Sequence, residues 1–296
     1  MPNLKEVRTR ISSVKSTMQI TSAMKMVAAS KLRRAQNAIL TMRPYASKLL
    51  EIMQNLSSSL DGSGEGVFGT DRGDEKVLII TITSNRGLCG AFNANVVKQT
   101  ISQIKTNYSD QNSKGNLDLF CIGSKGADLL KSQGYNVALT NSEIFDELNF
   151  ENVVAIAESL MNDFVDKKYD KILMVYNQFK NAASQILITE QFLPAIAEEK
   201  VEVEKQETVN ADYIFEPSKE EILEEIIPKS IKIQLYKALL DSFASEHGAR
   251  MTAMHQATDN ANELLKDLKL MYNKARQAAI TNEILEIVGG AEALKG

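Results

Sequence analysis

From Leu4 to Leu60, apolar residues recur at alternating spacings of three and four: Leu4, Val7, Ile11, Val14, Met18, then Ala28, Leu32, Ala35, Ile39, Met42, Ala46, Leu49, Met53, Leu56 and Leu60. Only Thr21 and Lys25 break the seam. One phase held over about eight heptads predicts a coiled-coil helix and not an ordinary surface helix. Such a helix reaches about 85 Å at its regular rise, so it needs a partner along its length. The C-terminal end repeats the pattern through Ile233, Tyr236, Leu240, Phe243, Met254, Ala257, Ala261, Leu264, Leu268, Met271, Ala275, Ala278 and Leu285, with breaks at His247, Arg250, Asn282 and Gly289. The two seams span equal lengths, so the simplest architecture pairs them with each other. Their many alanines allow close approach of the backbones. Pro44 predicts a kink, Pro228 a first helical turn, and Gly289-Gly290 a helix end.

The polar breaks cost least where they meet at one level. That sets Lys25 opposite about residue 247 and Leu4 opposite about residue 268. The rest of the C-terminal helix would then overhang alone.

Between the seams the texture changes. Residues 61–75 are rich in Gly and Asp and read as a loop. Strand patterns at 76–84, 117–123, 135–139, 170–179 and 184–194 alternate with helical ones near 91–107, 124–133 and 151–167. Alternation of this kind predicts a Rossmann-like α/β domain with a mainly parallel sheet. Its last two strands, joined by a few residues, should form an antiparallel hairpin. The expected organisation is an N-terminal coiled-coil helix at 1–60, a loop at 61–75, an α/β globular domain at 76–194, an acidic connection at 195–220 and a C-terminal coiled-coil helix at 221–296.

The chemistry such a chain could carry is narrow. The loop SNRGLCGAFN (84–93) follows a strand and opens a helix, where phosphates bind. It matches neither GxGxxG nor a Walker A loop, and GSKG (123–126) fails the same test. Tight structural turns are the preferred reading, and a nucleotide-binding α/β protein with coiled-coil arms is the alternative. His247 and His255 lie on the C-terminal helix and Cys89 and Cys121 in the α/β domain, so no catalytic pair and no metal site can be nominated. No cofactor is expected. Two lone cysteines fit a reducing compartment. The longest apolar run, VLIITI, is far shorter than the roughly 20 residues that span a membrane. The first sixty residues hold ten Lys and Arg against two acidic residues. That basic face is either solvated or set against an acidic protein. Nucleic acid is disfavoured, because the cations lack aromatic interleaving and the chain overall is acidic.

Three stretches carry a family resemblance: VKSTMQITSAMKMVAASKLRRAQ (14–36), SNRGLCGAFN (84–93) and SEHGARMTAMHQATDNANELLKDLKLMYNKARQAAITNEILEIVGGAEAL (245–294). Together they closely resemble the gamma subunits of F-type ATP synthases. The resemblance implies a central rotor shaft without an active site of its own. Its terminal helices would form an antiparallel coiled coil inside a ring of three alpha and three beta subunits. Its globular domain would sit on the membrane c ring beside the epsilon subunit. It implies a peripheral place on the cytoplasmic side of the cell membrane, reached only through the complex. No organellar transit peptide is visible, which favours a bacterium. Met24 and Lys25 match the region facing the beta hinge loop, and Arg250 a position near it. Arg276 and Gln277 match contacts to the beta catch loop, and Thr281 and Glu283 positions linked to coupling. Polar outer faces would let the shaft turn without sticking.

Overall fold

The computed structural model describes residues 4–58, 66–195 and 219–294. In chain order the elements begin α1 (Leu4–Ser58), α2 (Gly66–Gly69), β1 (Val77–Ile82), α3 (Phe92–Asn107), α4 (Ser109–Lys114), β2 (Leu117–Ile122) and α5 (Ser124–Ser132). They continue with β3 (Leu139–Asn141), a 3-10 turn (Glu143–Phe145), α6 (Phe150–Val165), β4 (Lys171–Phe179), β5 (Gln185–Leu193) and α7 (Lys219–Ala293). The chain divides into two compact units, Met1–Ala29 with Arg250–Gly296, and Ser30–Ala249. Most of the predicted acidic connection (196–218) and part of the predicted loop (61–65) lie outside the described residues.

The larger unit is built on the apolar run. All six residues of β1 are buried, as expected of the centre of a parallel sheet. The sheet order is β3-β2-β1-β4-β5. β1 runs parallel to β2 and β4, and β5 is antiparallel to β4. The predicted hairpin forms because its connection turns on Asn181, whose Oδ1 accepts the Ala183 and Ser184 N–H groups. The alternation along β1 serves two cores. Val77 and Ile79 meet α3 and α5 through Val96, Val97, Ile104, Ala127 and Leu130. Leu78, Ile80 and Ile82 share the opposite core with Val153, Ala157, Leu160 and Phe164 of α6.

α7 completes that second layer. Ile231, Leu235, Ala238 and Leu239 belong to the same core as α6. From Ala238 to Gly248 every residue but Phe243 is buried, so this stretch is a helix enclosed on all sides rather than a surface helix. The heptad reading gave it one apolar face; it has two. α7 begins nine residues before Pro228, so the proline is inside the helix and not in its first turn. Ile227 beside it packs against the core, which offsets the lost backbone hydrogen bond. Gly289-Gly290 does not end the helix, which runs on to Ala293. A helical glycine costs only about 1 kcal/mol against alanine. α1 likewise continues through Pro44.

Two other expectations shift. The strand predicted at 135–139 pairs only over Leu139–Asn141. Its earlier residues instead pack Tyr135 and Val137 onto the core. α4 has no buried residue, and so no apolar period to reveal it.

The turns after β1 and β2 are filled by protein. Gly123 has φ +108, and an added Cβ there would run into the Thr83 carbonyl. A Cβ on Gly126 would stand 2.6 Å from Thr83 Oγ1.

In the smaller unit the two terminal helices are joined by a hydrogen bond between the Thr21 and Thr258 hydroxyls, at 2.8 Å. Counting away from it in opposite directions sets Met18 beside Ala261, Val14 beside Leu265, Ile11 beside Leu268 and Val7 beside Tyr272. All of these are buried or part-buried, and the sequence seam of α1 is its buried stripe. The predicted register is therefore wrong by about one heptad: Leu4 lies opposite Ala275, not Leu268. The α7 seam was also half misread. Leu265 is 8% exposed and Leu264 48%, and Tyr272 is covered while Met271 is 53% exposed. Leu264 and Leu265, and Met271 and Tyr272, are adjacent apolar pairs, so the alternation of three and four fits either member, and the buried and part-buried set Ala261, Leu265, Leu268, Tyr272 and Ala275 keeps the same seven-residue period.

Cysteines replacing Val14 and Leu265 should cross-link readily in the intact chain, whereas cysteines replacing Val14 and Thr258 should not; non-reducing electrophoresis reads the difference, and the reverse result would restore the predicted register. Gly123→Ala should cost about 2 kcal/mol or more in urea unfolding, from the left-handed backbone and the lack of room.

Candidate functional site

The smaller unit gathers the residues singled out by resemblance on two stretches. Met24 and Lys25 are part-buried on α1. The observed register places Lys25 opposite Met254 and Arg250 opposite Ala29, so Lys25 and Arg250 lie about one turn apart. Arg250 is 8% exposed, a placement that commits its guanidinium to the interior of the unit. Arg276, Gln277, Thr281 and Glu283 are all exposed on α7. Arg276 and Glu283 fall on one helical face, Gln277 and Thr281 on the next. The Thr281 hydroxyl donates to the Gln277 backbone carbonyl at 2.9 Å, which fixes the Thr281 side chain against its own helix.

These four residues sit where the paired seam ends. Leu4, the first described residue, lies opposite Ala275, and every residue from Ile280 to Leu294 is exposed. Among them are Ile280, Ile284, Leu285, Ile287 and Val288. Ile20, Met26 and Val27 are exposed around Met24, and Leu270 and Met271 on the other helix. The expectation of polar outer faces is thus overturned. Apolar groups exposed in contiguous stretches mark a surface that meets another protein. Sequence reading assigned Met271 and Leu285 to the seam, which their exposure corrects, and passed over the others because they lie off the seam phase.

The α/β unit offers a second place for chemistry, at the loops following β1 and β2. At the start of α5 the N–H groups of Ser124, Lys125 and Gly126 are already taken. Asn85 Oδ1 accepts the Ser124 N–H at 3.1 Å, and Thr83 Oγ1 accepts the Gly126 N–H at 2.9 Å. Asn93 Oδ1 accepts the Ser84 N–H at 2.9 Å. Asn85 also donates to the Ser142 carbonyl at 2.7 Å, tying both loops to the end of β3. An anion site at a helix start needs free backbone donors, and at α5 these are occupied. Cys89 and Cys121 are buried and unlinked, and burial pushes the Cys121 thiol up to about 12, so it is an inert core group. His247 packs edge-on against Phe243 at 4.5 Å, while His255 lies exposed beside Asp259. Two histidines in such different settings share no site.

The comparisons with known proteins agree with this division. The family model described as ATP synthase matches residues 3–294. The ATP synthase gamma chain of Flavobacterium johnsoniae is 62% identical over 296 residues, covering 100% of both chains. That of Christiangramia forsetii is 58% identical over 296 residues, again covering 100% of both. Among solved structures, one chain of the central stalk/c-ring of the Tetrahymena thermophila mitochondrial ATP synthase is 26% identical with a TM-score of 0.57, covering 80% of this chain and 99% of that one. A chain of the Euglena gracilis mitochondrial ATP synthase shares the fold at 20% identity with a TM-score of 0.67, covering 98% of this chain and 94% of that one. Two terminal helices joined through one seam, a five-stranded sheet between them in sequence and full-length identity of this order lead to one conclusion: the chain belongs to the ATP synthase gamma-chain family.

Proposed function

We propose that the chain is the rotating central stalk of an F-type ATP synthase, coupling proton flow through a membrane c ring to ATP synthesis in a head of three alpha and three beta subunits. One observation carries this reading: beyond Ala275 the C-terminal helix runs on through Ala293 with every residue from Ile280 exposed and large apolar groups among them. A lone helix of that kind is stable in water only marginally, and a surrounding sleeve of partner subunits supplies the missing cover.

The chain is then a non-catalytic subunit. Its work is to make the three catalytic sites differ. A shaft whose faces differ stabilises a different conformation in each beta subunit, and turning it moves those preferences round the ring. On this reading Arg276 and Gln277 meet the beta catch loop, with Thr281 and Glu283 setting their level, while Met24 and Lys25 face the beta hinge loop. Arg250 braces the paired helices one turn from Lys25. Fixed charges carried past each beta subunit change the electrostatic partner that it sees. The exposed apolar residues nearby give a close steric fit.

No helix among the described residues is long and apolar enough to cross a membrane. The proposal places the chain at the cytoplasmic side of the cell membrane, held there by the c ring and the epsilon subunit. Against the alternative of a nucleotide-binding α/β protein stands the start of α5 after β2, whose Ser124 and Gly126 N–H groups are engaged by Asn85 and Thr83.

Arg276→Ala in the assembled complex should lower proton-driven ATP synthesis by about fivefold, the lower end of typical coupling energies. Thermal stability should be unchanged, because the residue is exposed. Unchanged synthesis would remove Arg276 from the coupling surface. Failure of the chain to co-purify with alpha, beta and epsilon subunits would overturn the stalk reading itself.

A further inference from the structure

The strand order of the sheet reverses at β1, which has β2 on one side and β4 on the other. In open α/β sheets such a reversal opens a crevice beyond the carboxyl ends of the two strands, and ligands bind there. The last β1–β4 pair is Thr81 with Val175, so Asn177, two residues further along β4, stands where that crevice begins. Asn177 is 4% exposed. What reaches it is the chain's own C-terminal helix. The Ser245 hydroxyl of α7 donates to the Asn177 carbonyl at 3.1 Å. Asn177 Nδ2 in turn donates to the Phe92 carbonyl at 3.4 Å, where α3 opens after β1.

The neighbours of Ser245 on α7 are held as well. Phe243 stacks on Phe145 of the 3-10 turn after β3, with ring centroids 6.1 Å apart. Gly248 lies against the tip of the β4–β5 hairpin, where an added Cβ would stand 3.2 Å from both the Cα and the carbonyl oxygen of Ala182. At about 100° per residue, Phe243 faces nearly opposite to Ser245 and Gly248, so the helix is gripped from opposite sides. Three turns earlier, on the Ser245 face, Gln234 Nε2 donates to Glu190 Oε1 at 2.7 Å and to the Gln191 carbonyl at 3.0 Å. Both strands of the hairpin are thereby tied to one face of α7. The apolar contacts of Ile231, Leu235, Ala238 and Leu239 add burial, but burial is non-directional. Hydrogen bonds and close backbone contact set an angle.

We infer that residues 243–248 of α7 fill the ligand crevice of the α/β unit as an intrachain ligand, and that this seat is where the unit grips the shaft and passes torque to it. Every contact of the seat lies within the larger unit, and α7 leaves that unit at Ala249 to run on through Ala293. A turning force on the unit therefore reaches the rest of α7 through this stretch. Ser242, Ser245, Glu246 and His247 are buried on it, polar groups that apolar packing alone does not call for. The inference rests on the stalk reading and names Ser245 and Gly248 as the residues that position the shaft.

The test takes the assembled complex with its head subunits fixed to a surface and a probe on an exposed position of the α/β unit. It reads the spread of the probe's angle during pauses in ATP-driven rotation. Wild type should turn and should pause within a narrow spread. Ser245→Ala removes one hydroxyl, and Gly248→Val must push Ala182 aside while valine remains no worse a helix former than glycine. Each should widen the spread, whereas Lys105→Ala, exposed on α3, should leave it unchanged. Hydrogen exchange of the full chain gives a second readout. Amides of residues 245–249 in Ser245→Ala should open about fivefold more often, the effect of one lost hydrogen bond, with the β1 amides unchanged. Ser245→Ala decides alone where Gly248→Val does not assemble. An unchanged spread in Ser245→Ala, even with faster exchange, would make the contact merely structural and overturn the inference while the stalk reading stands. A wild-type probe that stays still during ATP turnover would overturn the stalk reading itself.

Discussion

The enclosure of α7 is the constraint on which the rest depends. A sheet with a fully buried central strand needs helices on both faces, and on one face this chain supplies α6 together with the first half of its own C-terminal helix. The same helix later forms half of a two-helix seam with the N-terminal segment, fixed by the Thr21–Thr258 hydrogen bond. One helix therefore answers to two partners of different kinds along its length. Between Ala238 and Gly248 it has no polar face to spare, and Asp241, Ser242, Ser245, Glu246 and His247 are buried there. Buried polar groups demand partners with defined geometry, so this stretch is specified more tightly than apolar packing would require.

The two ends of the seam show opposite solutions to covering apolar surface. Through Ala275 the helices cover each other through residues such as Val7, Ile11, Val14, Leu265, Leu268 and Tyr272. Past Ile280 the helix keeps large apolar groups on view. Monomeric proteins avoid this unless another molecule covers the surface. The charged residues Arg276 and Glu283 are set at that change, where the surface passes from self-covered to exposed. The same reasoning explains the α/β loops. Asn85 and Thr83 accept the Ser124 and Gly126 N–H groups at the start of α5, and Asn93 accepts the Ser84 N–H after β1, so side chains of the chain itself join these loops to one another.

Much of this was legible in the residues. The heptads of α1 fell on its buried stripe, and the strand patterns near 76–84, 117–123, 170–179 and 184–194 fell on β1, β2, β4 and β5. What escaped has identifiable causes. Leu265 and Tyr272 replaced Leu264 and Met271 in the seam because each stands beside an apolar neighbour, and the sequence alone fits the alternation of three and four to either one. The register slipped by about one heptad because matching polar breaks, Lys25 against His247, ignored the hydroxyl pair Thr21–Thr258. The second apolar face of α7 was hidden under the first, since Ile231, Leu235 and Leu239 read as ordinary interior residues of one long helix. α4 and the late start of β3 carry too few buried residues to leave a period. The residues proposed for coupling had no physical signature at all. Arg276 and Gln277 look like any solvated helix face, and only resemblance pointed to them.

The most direct test of the account is rotation itself. With the head subunits fixed to a surface and a probe attached to an exposed position on the α/β unit of this chain, ATP hydrolysis should turn the probe continuously in one direction. ATP turnover by the same complexes with a stationary or randomly fluctuating probe would contradict the account.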